Sequence, residues 1–264
     1  MNFLFFQASI MSPFQKRVQL MLANVMDASL ANTIKGHAPL RASQTLRSAL
    51  RMRGKSVGSI TYFYSAKNDQ DVVFSSDLEF AHGLLLEADE TVKSYDVDPD
   101  RVIAFIEGKG YLGSKPDAIV KLWSGRTRYV EVKYLEDQRR KRAVLQAEIQ
   151  KRVADSVNAD WCWFSEKDVQ AKNRLLHDWL HIAPVLAQSR VEVKSRWEHL
   201  MKWVLEASRE ATTLGNLKRC THDPWELVFS TTVLLVQLGK LRSDLEMRPL
   251  SAETMIAPRD VIYA

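Results

Sequence analysis

The chain has 264 residues, of which 46% are hydrophobic and 26% are charged, and this ordinary globular composition excludes a disordered or fibrous protein. Its 37 Lys and Arg against 32 Asp and Glu give a net charge of +5, which by itself is weak evidence for an acidic partner. The two isolated cysteines, Cys162 and Cys220, exclude a disulfide framework, and no run of about 18 apolar residues occurs, so we expect a cytoplasmic protein without structural zinc and without membrane contact.

The beginning of the chain is strongly basic. Residues 1–60 hold eight Lys and Arg but one acidic residue, Asp27. Periodicity is weak here, so we interpret residues 1–58 as a basic N-terminal arm with one helix near residues 13–26. Such an arm can contact a phosphate backbone, although a solvated, solubilising stretch would have the same composition.

The middle of the chain alternates strand and helix patterns. Strands are predicted over residues 59–65, 92–97, 101–106, 118–123, 127–134 and 160–164. Helices are predicted over residues 77–88, 137–157 and, after the capping pair Ser165 and Asp168, to about residue 181. This order predicts an α/β domain over residues 59–186, with a mixed sheet flanked by helices.

The segment Pro184–Lys194 is interpreted as a boundary before a different pattern. Helices are then predicted over residues 197–209, 213–220 and 224–238, followed by a hairpin of residues 241–245 and 254–257. Three helices and a hairpin indicate a winged helix-turn-helix, and a plain helical bundle is the alternative. We expect residues 190–264 to form a separate C-terminal docking domain.

Four side chains in the α/β region carry the candidate chemistry: Glu79, Asp117, Glu131 and Lys133. Asp117 follows Pro116 at the start of one hairpin strand, and Glu131 lies near the end of the partner strand. An antiparallel hairpin brings these two ends together. Because strand side chains alternate, Glu131 and Lys133 project from the same face.

Two carboxylates beside a lysine suit phosphodiester hydrolysis. Carboxylate oxygens bind Mg²⁺ or Mn²⁺, and we expect Asp117 and Glu131 to hold such a metal, with Glu79 completing the set of ligands. Lys133 can position or deprotonate the attacking water, or stabilise the charge that develops at phosphorus. The alternative interpretation is an ion pair of Glu131 and Lys133 on a solvated strand, with Glu79 as a surface helix residue.

The helix predicted after Lys133 is basic, and we expect Arg139, Arg140 and Arg142 to bind DNA phosphates. Gln146 and Gln150 lie on the same helix, where related nucleases often place a supporting polar residue, but the sequence alone does not favour that assignment. Trp161 and Trp163, on the next strand, are expected in the core rather than as a base-stacking platform.

Residues 75–180 resemble the catalytic domain of TnsA, the endonuclease subunit of heteromeric cut-and-paste transposases and a member of the PD-(D/E)xK nuclease superfamily. The matching strings are Ser76-Asp77-Leu78-Glu79, Lys115-Pro116-Asp117-Ala118-Ile119-Val120, Tyr129-Val130-Glu131-Val132-Lys133 and Trp161-Cys162-Trp163-Phe164-Ser165-Glu166 with Asn173.

The resemblance implies a restriction-endonuclease-like fold and a Mg²⁺-dependent DNA endonuclease. It carries over Glu79, Asp117 and Lys133 as catalytic positions and puts Glu131 in the metal site. The implied reaction is nicking of double-stranded DNA at the 5′ ends of a transposable element during transposition. The implied partners are a DDE recombinase similar to TnsB and an AAA+ regulator similar to TnsC, the latter contacting the C-terminal region.

Two other functions stay open from the sequence. One is a self-sufficient restriction or repair nuclease of the same fold, for which no recombinase or ATPase gene would lie beside this one. The other is a DNA-binding adaptor without catalysis, against which the complete set of four side chains argues.

Overall fold

A computed structural model describes residues 60–259 of the chain. The basic arm expected over residues 1–58, with its helix, lies outside the described residues. Within residues 60–259 the structure is a mixture of helices and sheets, and no helix there is long and apolar enough to cross a membrane.

Eleven strands and seven helices follow one another in the described part of the chain. The strands are β1 (Thr61–Ser65), β2 (Gln70–Phe74), β3 (Val92–Asp96), β4 (Val102–Ile106), β5 (Gly110–Ser114), β6 (Ala118–Leu122), β7 (Thr127–Val132), β8 (Asp160–Phe164), β9 (Thr212–Thr213), β10 (Leu241–Ser243) and β11 (Met255–Pro258). The helices are α1 (Asp77–Ala88), α2 (Lys141–Ser156), α3 (Glu166–Ala171), α4 (Asn173–Ser195), α5 (Trp197–Ala207), α6 (Leu214–Cys220) and α7 (Trp225–Gln237).

A four-stranded mixed sheet with the order β3-β6-β7-β8 lies at the centre of the α/β part. The β3–β6 and β6–β7 pairs are antiparallel, whereas β7 and β8 run parallel. Gly125 in the turn between β6 and β7 has a φ of 85°, a backbone conformation that glycine adopts without strain. The predicted hairpin of β6 and β7 is therefore confirmed. The predicted α/β fold class is confirmed as well.

Helices cover both faces of this sheet. On one face, the His82 ring of α1 lies 4.6 Å from the ring of Phe164. On the other face, Gln150 of α2 contacts Glu131. Because side chains alternate along a strand, Phe164 and Glu131 mark opposite faces of the paired strands β7 and β8. The sheet is thus enclosed between α1 and α2.

Two small hairpins complete the α/β part and were not fully predicted. The first pairs β1 with β2, and the second pairs β4 with β5. The second hairpin packs on α2, where Ala104 and Ile106 of β4 form a hydrophobic cluster with Ile149 of α2. The sequence predicted β1 and β4 but missed β2 and β5. The β5 sequence contains Gly110 and Gly113, which weaken the strand signal.

Two helix boundaries differ from the prediction. Helix α2 begins at Lys141 rather than residue 137, because the preceding residues form turns in which Asp137 N donates to Tyr134 O. The single helix expected from the Ser165 cap to about residue 181 is two helices, α3 and α4, and α4 continues through Pro184 to Ser195, so the break expected over Pro184–Lys194 is wrong. The described residues fall in one compact unit, in which a division between residues 186 and 190 would cut a helix.

The C-terminal elements follow in the predicted order. After α5 come β9, α6 and α7, and β10 then pairs with β11 in an antiparallel hairpin. β11 also pairs with β9, which gives a three-stranded sheet with the order β10-β11-β9. Thr213 caps α6 by accepting a hydrogen bond from Asn216 N, as expected from the Thr at that position.

Candidate active site

The β6–β7 hairpin brings Asp117 and Glu131 face to face. In its register Ala118 pairs with Val130, so the residues one step further, Asp117 and Glu131, lie opposite each other with side chains on one face. Asp117 N donates to Val130 O over 3.1 Å, which continues the ladder beyond the strand end. The predicted convergence of these two carboxylates is confirmed.

Backbone and side-chain bonds orient the Asp117 carboxylate. Its Oδ2 accepts a hydrogen bond of 2.7 Å from Val132 N, on the neighbouring strand. The preceding Pro116 is buried, and proline fixes its own φ, so the chain enters β6 in a defined direction. The Pro-Asp pair therefore aims this carboxylate at β7.

Lys133 lies beside Glu131, as the alternation of the strand predicted. Its Nζ is 3.0 Å from Glu131 Oε1, and the lysine side chain keeps 32% of its surface exposed while Glu131 keeps 1%. Burial lowers the pKa of Lys133, but the carboxylates of Glu131 and Asp117 outweigh it and raise the pKa above its ordinary value. The lysine stays charged and faces both solvent and the carboxylates.

Negative charge is crowded at this site. The pKa of Asp117 is raised to about 7, mainly by burial and then by the nearby charges of Glu131 and Glu79. The hydrogen bond from Val132 N and the charge of Lys133 act in the opposite direction and lower the pKa. An aspartate with this pKa is only partly ionised at neutral pH. A cation placed between the carboxylates would remove the repulsion that raises the pKa.

Glu79 is on the first turn of α1 and is engaged locally. Its carboxylate accepts hydrogen bonds from Ser75 N and from Ser75 Oγ, each at 2.9 Å. Within residues 60–259, no three His, Cys, Asp or Glu side chains come together as a group that could hold a metal ion. The expected convergence of three carboxylates is therefore not observed, and Glu79 as a third metal ligand stays a prediction.

Gln150 of α2 is the site residue that the sequence did not assign. It is fully buried, and its Nε2 donates to Glu131 Oε2 over 2.7 Å and to Ser114 Oγ over 2.9 Å. A signal was present, because Gln150 shares one helical face with Ala143, Ala147 and Ala154 at spacings of four, three and four residues. A glutamine in a face of buried alanines needs polar partners inside the protein.

The three arginines expected to bind DNA lie before and at the start of α2. Arg139 is in the preceding turn, Arg140 is the N-cap residue and Arg142 is in the first helical turn, and all three are exposed. Arg140 pairs with Asp137 over 2.7 Å. The chain returns from Lys133 through these turns to α2, so the basic segment follows the carboxylate pair directly.

Comparison with known proteins adds no family assignment. No family pattern matches the chain, and no curated protein matches it at a significant level.

Proposed function

We propose that the protein is a metal-dependent DNA endonuclease of the PD-(D/E)xK type, and that it acts as a TnsA-like subunit that nicks the 5′ ends of a transposable element. The observation that carries this proposal is the buried carboxylate pair of Asp117 and Glu131 with Lys133 beside it. Unlike a surface ion pair, this group includes the fully buried Glu131 carboxylate and an Asp117 whose pKa is raised to about 7. A mixed sheet between two helices is compatible with the restriction-endonuclease-like fold.

The donor set of this pair fits a divalent cation. Asp117 and Glu131 offer hard carboxylate oxygens on one face of the hairpin, the ligand type that Mg²⁺ and Mn²⁺ prefer. Such an ion supplies Lewis acidity towards a phosphoryl oxygen and lowers the pKa of water. We assign Asp117 and Glu131 as the residues that hold it, with Glu79 as a candidate third ligand.

Gln150 and Lys133 have separate roles beside the metal ligands in this proposal. Gln150 fixes one oxygen of Glu131, which leaves Oε1 on the side of Lys133. The half-exposed Lys133 can reach a phosphate group from solvent and offset the charge that develops on its oxygens. The carboxylates of Glu131 and Asp117 raise the pKa of Lys133, which favours its charged form beside the phosphate.

The exposed arginines supply the contact with DNA in this proposal. Arg140, Lys141 and Arg142 lie at the positive end of the α2 dipole, and no side chain caps that end. Like charges at a helix N-terminus destabilise the helix, and a phosphate group would relieve the repulsion. The duplex would then approach the carboxylate pair along the start of α2.

We infer that the C-terminal elements dock a protein partner rather than read DNA. Their order matches a winged helix-turn-helix, in which α7 would be the recognition helix. From Leu227 to Gln237, however, every residue except Leu234 is buried, so α7 has no free face for a major groove. This favours docking to an AAA+ regulator or to the recombinase.

The test measures strand breaks under defined metal and partner conditions. The purified chain is incubated with DNA that carries the element ends, in Mg²⁺ or Mn²⁺, with and without a DDE recombinase of the same element. We expect nicks at the 5′ ends when the recombinase is present, and none in EDTA or with Asp117→Ala. Site-specific cleavage by the chain alone would instead favour a self-sufficient nuclease. DNA binding without any cleavage would favour the adaptor.

A further inference from the structure

A line of hydrogen bonds runs from Trp161 on β8 through Gln150 to the carboxylate of Glu131. The indole Nε1 of Trp161 donates to Gln150 Oε1 over 2.9 Å. The Nε2 of the same amide donates to Glu131 Oε2 over 2.7 Å. Three elements, β8, α2 and β7, are joined at this point.

The chemistry of the two end groups allows one orientation of the amide. An indole N–H is only a donor, so the amide atom facing Trp161 must be the oxygen. An ionised carboxylate is only an acceptor, so the amide atom facing Glu131 must be the nitrogen. Because Gln150 is completely buried, water cannot replace either partner. The Trp161 bond and the Glu131 bond therefore support each other.

We propose that Trp161 is a positioning residue of the metal site, which acts through Gln150 to hold Glu131 in its ligating orientation. This inference rests on the proposed metal-dependent function. It gives the partly buried Trp161 a role in the site, although no hydrogen bond or ion pair within residues 60–259 joins it directly to the carboxylates or to Lys133. With the indole bond lost, the buried Gln150 oxygen has no partner, and the amide turns or shifts away from Glu131.

The surroundings of Trp161 hold its ring in place for this task. The Trp161 ring packs edge to face on the Trp163 ring, with 5.0 Å between the centroids. The Lys151 ammonium lies 4.6 Å from the centroid of the Trp161 ring. Trp163 pairs with Glu131 in the β7–β8 register, so the two tryptophans share the face of the sheet that carries Glu131. Replacing Trp161 by Phe keeps these ring contacts and removes the N–H group.

The neighbouring tryptophan provides a matched control. Within residues 60–259, the indole nitrogen of Trp163 donates no hydrogen bond, so Trp163→Phe removes a similar ring area from the same strand face, keeps a ring beside Trp161 and breaks no hydrogen bond of the relay. Any general loosening of β8 should appear in both variants. An effect confined to Trp161→Phe belongs to the hydrogen bond.

The experiment measures Mn²⁺ binding to the full chain without DNA, from the loss of the free-ion signal in electron paramagnetic resonance. Removing a hydrogen-bonding partner behind a metal ligand weakens metal affinity by roughly 10–100-fold. We expect Trp161→Phe to weaken Mn²⁺ binding about tenfold, the lower end of that range, while Trp163→Phe binds like the unaltered chain. Gln150→Leu should weaken binding at least as much, and adding Trp161→Phe to it should cause no further loss, because both act through one amide.

Equal Mn²⁺ affinity in Trp161→Phe and the unaltered chain would overturn the relay and leave the proposed function standing. Equal losses in Trp161→Phe and Trp163→Phe would also overturn it. Absence of Mn²⁺ binding by the unaltered chain, or full binding by Asp117→Asn, would overturn the proposed metal site and the relay with it. If Trp161→Phe does not fold, Gln150→Leu decides alone, and unchanged binding in that variant overturns the proposal.

Discussion

At the scale of single residues, the candidate site contains a conflict between stability and chemistry. Ionised Asp117 faces Glu131 at close range in a mostly buried position, and this arrangement is unfavourable without a cation. The pKa of Asp117 rises to about 7 in the folded chain, mainly through burial and then through Glu131. The folded protein therefore holds a proton that the unfolded chain releases at a lower pH.

We predict that Asp117→Asn stabilises the metal-free protein at neutral and basic pH while abolishing nicking. Because the folded pKa is raised, the contribution of Asp117 to stability is lost as pH rises from about 4 to about 7. The gain from Asn should be absent near pH 4 and on the order of 1 kcal/mol or more at pH 8, since one pKa unit corresponds to about 1.4 kcal/mol. Urea unfolding in EDTA at the two pH values measures this gain.

The control for this substitution is Asp98→Asn, at an exposed carboxylate that pairs with Lys115. Exposed ion pairs contribute little, so we expect a change of less than about 1 kcal/mol. A variant Asp117→Asn that is less stable than the parent at pH 8 would contradict the assigned repulsion between Asp117 and Glu131.

A second residue-scale prediction concerns His82, which is 6% exposed on α1. The pKa of His82 is lowered to about 3, mainly by burial. The charge of Asp168 opposes this shift and the charge of Arg128 contributes to it. A lowered folded pKa means that the unfolded chain binds the extra proton first. The contribution of His82 to stability is therefore full above about pH 6.5 and falls as pH decreases, by up to about 1.4 kcal/mol per pH unit.

We expect His82→Phe to flatten this acid dependence between pH 6.5 and 4.5, as measured by urea unfolding. Phe also retains a ring against Phe164. The matched control is His177→Phe, at an exposed position on α4, which changes no buried group and should keep the parent's pH dependence. Equal slopes in His82→Phe and the parent would show that another group controls acid stability.

The site residues were predicted from the sequence to different extents. The pairing of Asp117 with Glu131, and the place of Lys133, follow from strand alternation and a short turn, which are local. The roles of Gln150 and Trp161 depend on how α2 and β8 pack over β7. That packing brings together residues that are far apart in the sequence, so local pattern does not reveal it. The hydrogen bonds between Ser75 and Glu79 join residues that are close in the sequence. Whether Glu79 also reaches the Asp117–Glu131 pair depends on how α1 packs against the sheet, which local pattern does not reveal.

At the scale of elements, the start of α2 is the feature with the clearest consequence for DNA. Neutralising Arg139, Arg140 and Arg142 to Gln should weaken DNA binding for all sequences. The salt slope of log K against log[salt] should flatten by up to about 0.9 for each lost phosphate contact. Since Arg140 already pairs with Asp137, we expect a smaller contribution from it. Fluorescence anisotropy from 50 to 200 mM salt measures both quantities.

The control neutralises three exposed cations of the C-terminal elements: Lys202 on α5, Arg219 on α6, and Arg209 in the segment between these helices. If those helices dock protein, their loss should leave the salt slope unchanged. An effect on DNA binding from the control set that equals the effect of the α2 set would contradict the proposed DNA path.

Local propensity explains which elements the sequence revealed. The capped helix α1 and the strand β8 have the predicted boundaries because their signals lie within a few residues. β5 was missed because of its glycines, and at Gly113 any Cβ would meet the Arg101 side chain, which would have to move. Pro184 favoured a helix end, but in α4 the packing of neighbours such as Ile182 and Leu186 outweighs the cost of an internal proline.

At the scale of the whole molecule, buried polar contacts join the two halves that the sequence separated. Gln237, at the end of α7, donates to Glu87 Oε2 over 2.8 Å and to Glu87 O over 3.0 Å. Glu87 is 1% exposed and also accepts from Tyr95 over 2.7 Å. Arg174 of α4 donates to carbonyl groups in the segment between β10 and β11. The helix α1 thus carries Glu79 at one end and the junction with α7 at the other.

These contacts predict that a chain ending at Gln188 does not keep a folded α/β core. The cut removes the last part of α4 and all of α7, which leaves the Glu87 carboxylate short of a partner and exposes apolar residues of α4 such as Trp179. Loss of a buried hydrogen-bonding partner alone costs about 1–3 kcal/mol, and the lost apolar cover adds to it. Because whole domains are stable by only about 5–15 kcal/mol, the shortened chain should lose cooperative thermal unfolding, as followed by circular dichroism.

Two further variants separate the causes of this loss. Removing only residues 260–264 should leave the melting transition in place, because the contacts named above lie before them. Gln237→Leu in the full chain should lower the unfolding free energy by about 1–3 kcal/mol, since it leaves Glu87 buried with one fewer donor. Glu87→Gln should reduce that penalty, because a neutral amide is easier to bury than a carboxylate. A chain of residues 1–188 that melts cooperatively near the parent temperature would show that the C-terminal elements form an independent domain after all.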